Sequence, residues 1–130
     1  MKQICLIVDD HRGLRNLMEK WLSGVFPEVS FYAVATAEEA IAIAGETKLH
    51  TVIMDVSLPR MNGIEATRQI KEILPDTKVI IHTIHEETIY KERAAQAGAD
   101  FYISKKRTQI ALIPTLKNTF SFGEIERKKG

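Results

Sequence analysis

Four short apolar runs in this sequence end in residues that can handle a charged group. Ile4-Cys5-Leu6-Ile7-Val8 stops at Asp9-Asp10, and Thr51-Val52-Ile53-Met54 stops at Asp55. Val79-Ile80-Ile81-His82 stops at Thr83, and Phe101-Tyr102-Ile103 leads through Ser104 to Lys105. Three carboxylates held close together repel one another and need a cation. Oxygen-only ligands suit a hard ion such as Mg²⁺, which keeps several waters and shares phosphate oxygens. A bare carboxylate cluster would also serve general acid-base chemistry. The added hydroxyl and ammonium favour a phosphoryl group, because both can hydrogen-bond or neutralise its oxygens. A carboxylate can then act as the nucleophile and become an aspartyl-phosphate.

These residues meet only if the apolar runs lie side by side. The segments between them have helical spacing. Leu14, Leu17, Met18, Trp21 and Leu22 form one face, with Gly24 as the expected C-cap. Val29 to Val34 reads as a further strand. Thr36 with Glu39 has the form of a capping box and opens a helix through Ala40, Ile41 and Ala44 to Gly45. The loop Ser57-Leu58-Pro59-Arg60-Met61-Asn62-Gly63 leads into a helix carrying Ile64, Ile70, Ile73 and Leu74, which Pro75-Asp76 breaks. Another helix spans Ile89 to Ala97 and closes at Gly98; the last lies near Gln109 to Phe120. Pro114 falls inside that last pattern, so the helix either kinks there or begins its regular part there. Strands alternating with helices imply right-handed βαβ units and a parallel sheet covered on both faces. In such sheets, sites form beyond the carboxyl ends of the strands, where the aspartates, Thr83 and Lys105 sit.

At 130 residues the chain suits a single domain over 1–121, followed by a charged, frayed tail over 122–130. A net charge of +1 gives no electrostatic case for nucleic acid. The one cysteine, Cys5, lies in an apolar run and reads as a core residue in a reducing compartment. No apolar stretch approaches the roughly 20 residues of a membrane span. The sequence enters its first strand directly, which reads as no signal peptide and a cytoplasmic location.

Taken together, Val8-Asp9-Asp10-His11, Met54-Asp55-Val56-Ser57-Leu58-Pro59-Arg60-Met61-Asn62-Gly63, Thr83, and Gly98-Ala99-Asp100-Phe101-Tyr102-Ile103-Ser104-Lys105 resemble the receiver domain of two-component response regulators over roughly residues 3 to 120. The Asp-Asp-His opening and the Pro-Arg-Met-Asn-Gly loop look most like regulators whose effector half is a helix-turn-helix DNA-binding domain. No such segment is expected within this chain, so it should bind no nucleic acid itself. The resemblance implies a flavodoxin-like sheet of five parallel strands, order 2-1-3-4-5, flanked by five helices. It implies Asp55 as phosphoacceptor. Asp9, Asp10, Asp55 and the backbone carbonyl of Ser57 would hold Mg²⁺. Lys105 and Thr83 would contact the phosphoryl oxygens, and Tyr102 would turn inward as Thr83 moves. Ile84 and His85 would modulate the pocket. The implied partner is a sensor histidine kinase or phosphotransfer protein docking over the first helix. The face made by the fourth helix, fifth strand and fifth helix would switch, with a homodimer through that face as one outcome.

Other readings compete at each position. One aspartate of Asp9-Asp10 would make a helix N-cap, though two are hard to explain that way. Thr83 alone is an ordinary strand end, and Lys105-Lys106-Arg107 alone is a solvated basic run. His82 and His85 lack the helical spacing of a metal pair. Two departures from the receiver pattern stand out. Ile84 occupies a position where receivers carry a small residue, which would narrow access to Asp55. Lys106 stands where many carry a cis proline, so a trans bond or a strained loop is expected. An interaction module without phosphoryl turnover is the main alternative. A phosphohydrolase is disfavoured by Ser57 two residues after Asp55, and a nucleotide-binding domain by the lack of a Gly-rich loop after the first strand.

Overall fold

The computed structural model describes residues 2–120. In chain order its elements are β1 (Gln3–Val8), α1 (Arg12–Val25), β2 (Val29–Val34), α2 (Ala37–Glu46), β3 (Thr51–Met54), α3 (Gly63–Ile73), β4 (Lys78–Thr83), α4 (Thr88–Gln96), β5 (Phe101–Ser104), a 3₁₀ turn (Lys105–Arg107) and α5 (Thr108–Thr119). The five strands pair in parallel, in the order β2-β1-β3-β4-β5. Two-residue alternation divides the strand side chains between two cores. Leu6, Val8, Val52, Met54, Val79 and Ile81 pack with buried residues of α2, α3 and α4 such as Ala40, Ile70 and Ala94. Cys5, Ile7, Ile53, Ile80 and Ile103 pack with Met18 and Leu22 of α1 and with Leu112 and Leu116 of α5. Each fully buried Leu or Ile contributes about 2 kcal/mol of transfer free energy. These two layers fix the strand ends relative to one another.

The N-cap half of the capping box forms: the Glu39 amide donates to Thr36 Oγ1 at 3.1 Å, and Glu39 Oε1 accepts from the Thr36 hydroxyl at 2.9 Å rather than from its amide. Two expected helix ends are corrected. Gly24 and Gly45 lie inside α1 and α2, and the caps are Phe26 and Thr47, whose amides donate to the carbonyls of Leu22 and Ile43. Neither glycine has the positive φ of a left-handed cap, so the helical bonding runs past them. Gly98, at φ 102°, does end α4. A late start at Pro114 is also corrected: α5 begins at Thr108 and runs through the proline. Pro114 deprives the Ile110 carbonyl of a helical donor, and Ile110 is exposed enough for water to replace it. The Lys105–Lys106 bond is trans, and the turn is held by Ser104 Oγ accepting from the Lys106 amide at 3.2 Å. No helix among the described residues is long and apolar enough to cross a membrane. The expected tail lies outside the described residues.

Candidate functional site

Two aspartates follow β1 and precede α1, at positions suited to capping that helix. Neither caps it. His11 is the N-cap, its Nδ1 accepting from the Leu14 amide at 3.0 Å. Asp9 Oδ1 accepts from the His11 amide at 2.8 Å, which turns the chain before the helix. Arg15 reaches back from the first turns of α1 to the Asp9 carbonyl at 2.8 Å. Asp9 is buried and Asp10 exposed. Asp55 follows β3 as a continuation of the ladder, its amide donating to the Val8 carbonyl at 3.0 Å. This pairing brings the ends of β1 and β3 together. Oxygen atoms of Asp9, Asp10 and Asp55 lie within 4.8 Å of one another, a group that could hold a metal ion.

Lys105 enters this cluster from the far side of the sheet. Its Nζ donates to Asp9 Oδ2 at 2.9 Å and to Asp55 Oδ2 at 2.8 Å. Burial alone would lower the ammonium pKa, but the hydrogen bonds and charges of Asp55 and Asp9 outweigh burial and hold it above its ordinary value. The other Asp55 oxygen, Oδ1, accepts from the Ser57 amide at 3.2 Å. Three carboxylates against one ammonium leave two negative charges on an all-oxygen donor set. That surplus and that chemistry fit a hard divalent cation.

Thr83 is buried at the end of β4, level with Ser104, and its hydroxyl accepts from the His85 amide at 3.3 Å. It lies at the same sheet edge as the acidic cluster, with its hydroxyl engaged by the β4–α4 loop. His85 sits in that loop, its Nε2 2.7 Å from Ser57 Oγ and its ring stacked on Tyr90 at 4.3 Å. Tyr102 donates its hydroxyl to the His85 carbonyl at 2.8 Å. Tyr102 packs on one core and Phe101 on the other. Ile84 is 66 % exposed, so most of its surface faces solvent. His82 and His85 bond different partners, Thr108 and Ser57.

Several contributors were not evident from sequence. An added Cβ at Gly63 would lie 1.8 Å from the Asp55 carbonyl oxygen, so only glycine lets α3 start against the end of β3. The signal was present in Asn62-Gly63, where Asn62 Oδ1 caps the amides of Ile64 and Glu65. Arg60, at φ 62°, is the one non-glycine in the left-handed region among the described residues, and it lies in the same loop. The links from His82 and His85 depend on loop placement and have no short-range signature.

The family model for the response regulator receiver domain matches residues 5–117. The chain is 31% identical over 115 residues to the transcriptional regulatory protein DegU of Brevibacillus brevis, covering 86% of this chain and 48% of that protein. To the response regulator GacA of Pseudomonas aeruginosa it is 31% identical over 116 residues, covering 89% and 54% respectively. It thus spans about half the length of these curated relatives. A CheY-like response regulator receiver domain protein from Methanospirillum hungatei JF-1 has the same fold, with a TM-score of 0.85, 25% identity and coverage of 100% of both chains.

Proposed function

This chain belongs to the response regulator receiver domain family, and from that premise we propose that it is a phosphorelay switch in which Asp55 accepts a phosphoryl group. The donor is a phosphohistidine on a sensor histidine kinase or phosphotransfer protein. An Asp55 carboxylate oxygen attacks phosphorus, the P–N bond breaks, and the donor imidazole leaves with the electron pair and regains a proton. The observation that carries this reading is the pair of contacts from Lys105 Nζ to Asp55 Oδ2 and Asp9 Oδ2 at the carboxyl edge of the sheet. The chain acts as an acceptor that assists its own phosphorylation and dephosphorylation, and it turns over no separate substrate.

Asp9, Asp10, Asp55 and the Ser57 carbonyl are the residues that would hold Mg²⁺. When bound, the ion neutralises the carboxylates and the incoming phosphoryl oxygens. The chain's own groups do the rest. The Ser57 amide orients Asp55 through Oδ1, leaving Oδ2 with Lys105 as the charged pair that meets the phosphoryl group. Lys105 can then follow an oxygen of the product. Thr83 trades the His85 amide for a phosphoryl oxygen, and Tyr102 follows through its bond to the His85 carbonyl. The face of α4, β5 and α5 is the element whose populations shift, and a homodimer through it is one form of output. The apolar groove between α1 and α5, lined by Leu14, Leu17, Met18 and Trp21 with Lys105 and Lys106 at its rim, supports docking of the donor there.

Incubation with Mg²⁺ and acetyl phosphate should add the mass of one phosphoryl group, and Asp55→Asn should abolish the adduct. An unlabelled wild type, under conditions that label another receiver, would overturn the reading in favour of an interaction module without turnover.

A further inference from the structure

Beneath the acidic cluster, on the α1–α5 side of the sheet, lies a polar side chain that the phosphoacceptor reading does not use. His82 is 1% exposed, on the sheet face that carries the apolar side chains Ile7, Ile53, Ile80 and Ile103. Its Nε2 is 2.7 Å from Thr108 Oγ1, and Thr108 Oγ1 is 2.8 Å from the carbonyl oxygen of Lys105. The direction of these bonds follows from counting protons. A threonine hydroxyl has one, and a carbonyl oxygen has none. Were that proton given to His82, the hydroxyl and carbonyl oxygens would face each other at 2.8 Å with no hydrogen between them. The hydroxyl therefore donates to Lys105, and His82 Nε2–H donates to the hydroxyl. The Thr108 amide donates to the same Lys105 carbonyl. The main chain of Lys105 is thus held by two donors of the first residue of α5, one of them tied to β4.

We propose that His82 is a positioning residue, which acts through Thr108 to fix the root of Lys105 and so the placement of its ammonium between Asp9 and Asp55. The proposal rests on the phosphoacceptor reading and adds a part to it. Lys105 has no cis proline after it to set its backbone; the 3₁₀ turn at Lys105–Arg107 does that work here. A turn this short has few bonds of its own, and a chain of aligned hydrogen bonds anchored in a rigid strand stiffens it. The same chain joins the end of β4, where Thr83 lies, to the first residue of α5. Phosphorylation that draws Lys105 toward a new oxygen therefore also pulls on the start of α5.

The test compares acetyl phosphate labelling rates of the full chain, with Mg²⁺, across His82→Leu, His82→Gln and Thr108→Val. Leucine suits the apolar layer but breaks the link, whereas glutamine restores an N–H donor at the end of a side chain of similar reach. Labelling should slow about tenfold in His82→Leu and Thr108→Val, since small misplacements of a charged group are costly in rate. His82→Gln should stay within about twofold of wild type, and the Leu/Val double variant should be no slower than either single one. Wild-type rates in His82→Leu, or equal slowing in His82→Gln, would overturn the proposal and leave His82 as packing. Nitrogen NMR of the wild-type imidazole gives a reading that needs no phosphorylation. The Nε2–H tautomer, with a signal that moves in Thr108→Val, is expected; the Nδ1–H tautomer would turn the Thr108 proton onto His82 and away from the Lys105 carbonyl, which overturns the proposal. If wild type takes up no phosphoryl group at all, the acceptor reading fails while the tautomer still decides whether this link exists.

Discussion

The two ends of the sheet use the same kinds of side chain to opposite effect. At the amino ends of the strands, Asp100 accepts from the Val79 amide at 2.8 Å and pairs with Lys71 at 2.9 Å and Lys78 at 4.0 Å. There, His50 Nδ1 accepts from the Ile4 amide at 3.0 Å, and the Thr77 hydroxyl donates to the Leu49 carbonyl. One carboxylate meets two ammonium groups. At the carboxyl ends, three carboxylates cluster beside one ammonium, which bonds only two of them. Residue type alone does not separate the two edges; whether every carboxylate has its own cation does, and in that sense the first edge is balanced and the second is not. The balanced edge ties helices and loops to strand starts. The unbalanced edge carries a surplus that the described chain does not neutralise, which is the condition under which a cation and a phosphoryl group can exchange places with existing bonds.

The largest expected effect tests whether the acidic edge is also the most tightly built. In Gly63→Ala the new Cβ would overlap the Asp55 carbonyl oxygen, at 1.8 Å, and approach its carbon at 2.7 Å. Relief requires moving β3 or the start of α3. Urea denaturation should show a loss of about 3 kcal/mol, and acetyl phosphate labelling should drop with it. Gly24→Ala, away from that edge and with nothing within 4 Å of the added carbon, should instead stabilise by about 0.5–1 kcal/mol as a helix-interior substitution.

Acid provides the next contrast, since each edge holds a histidine whose pKa is lowered. Burial, then the charge of Lys105, pushes the His82 pKa down from 6.5 to about 4, with Asp9 opposing. The unfolded chain takes up that proton near 6.5 and the folded chain only near 4. Stability is therefore undiminished above pH 6.5 and falls as the pH drops toward 4, by roughly 3 kcal/mol. Urea midpoints measured across this window should lose most of that slope in His82→Leu. A smaller slope should persist from His50, lowered by burial and then by Lys48. An unchanged slope in His82→Leu would move the acid sensitivity to the other edge.

Asp100→Ala probes the balanced edge directly. It removes the acceptor of the Val79 amide and leaves Lys71 unpaired, so a loss of about 2 kcal/mol is expected in urea denaturation. Labelling by acetyl phosphate should stay within about twofold of wild type. Slower labelling would mean that the two edges are mechanically coupled and that the division drawn between them is too sharp.

How much of this could be read from sequence follows the range of the interactions. Strand and helix periodicity, the capping box at Thr36 and the order of the strand ends are local or pairwise-repetitive, and Asp9, Asp10, Asp55 and Lys105 could be assigned to one edge from them. Gly24 and Gly45 misled because a glycine near the end of an apolar pattern looks the same whether it caps the helix or lies within its last turn; only φ distinguishes them. Pro114 left two options because propensity cannot weigh a lost bond against the packing of Leu112 and Leu116 on either side of it. His11 displaced both aspartates as N-cap of α1, an outcome set by the turn that Asp9 makes with the His11 amide. The bonds His85–Ser57 and His82–Thr108 span 28 and 26 residues, and loops place them. Gly63 was legible as a turn residue but not as the contact that seats Asp55.

The smallest expected effect is the most direct test of charge surplus. Asp10 is the exposed member of the acidic cluster, so removing its charge costs little packing. Without divalent cations, Asp10→Asn should leave the fold slightly more stable, by a few tenths of about 1 kcal/mol, because a screened repulsion is relieved. A matching neutralisation at the balanced edge destabilises, as argued for Asp100, so the sign of the change separates the edges. Adding Mg²⁺ should then raise the urea midpoint of wild type and not that of Asp10→Asn, since a ligand stabilises only the state that binds it. Should both proteins respond to Mg²⁺ alike, Asp10 is outside the cation site and the surplus resides in Asp9 and Asp55 alone. Should neither respond, Lys105 already balances the edge, and the contrast drawn from charge fails.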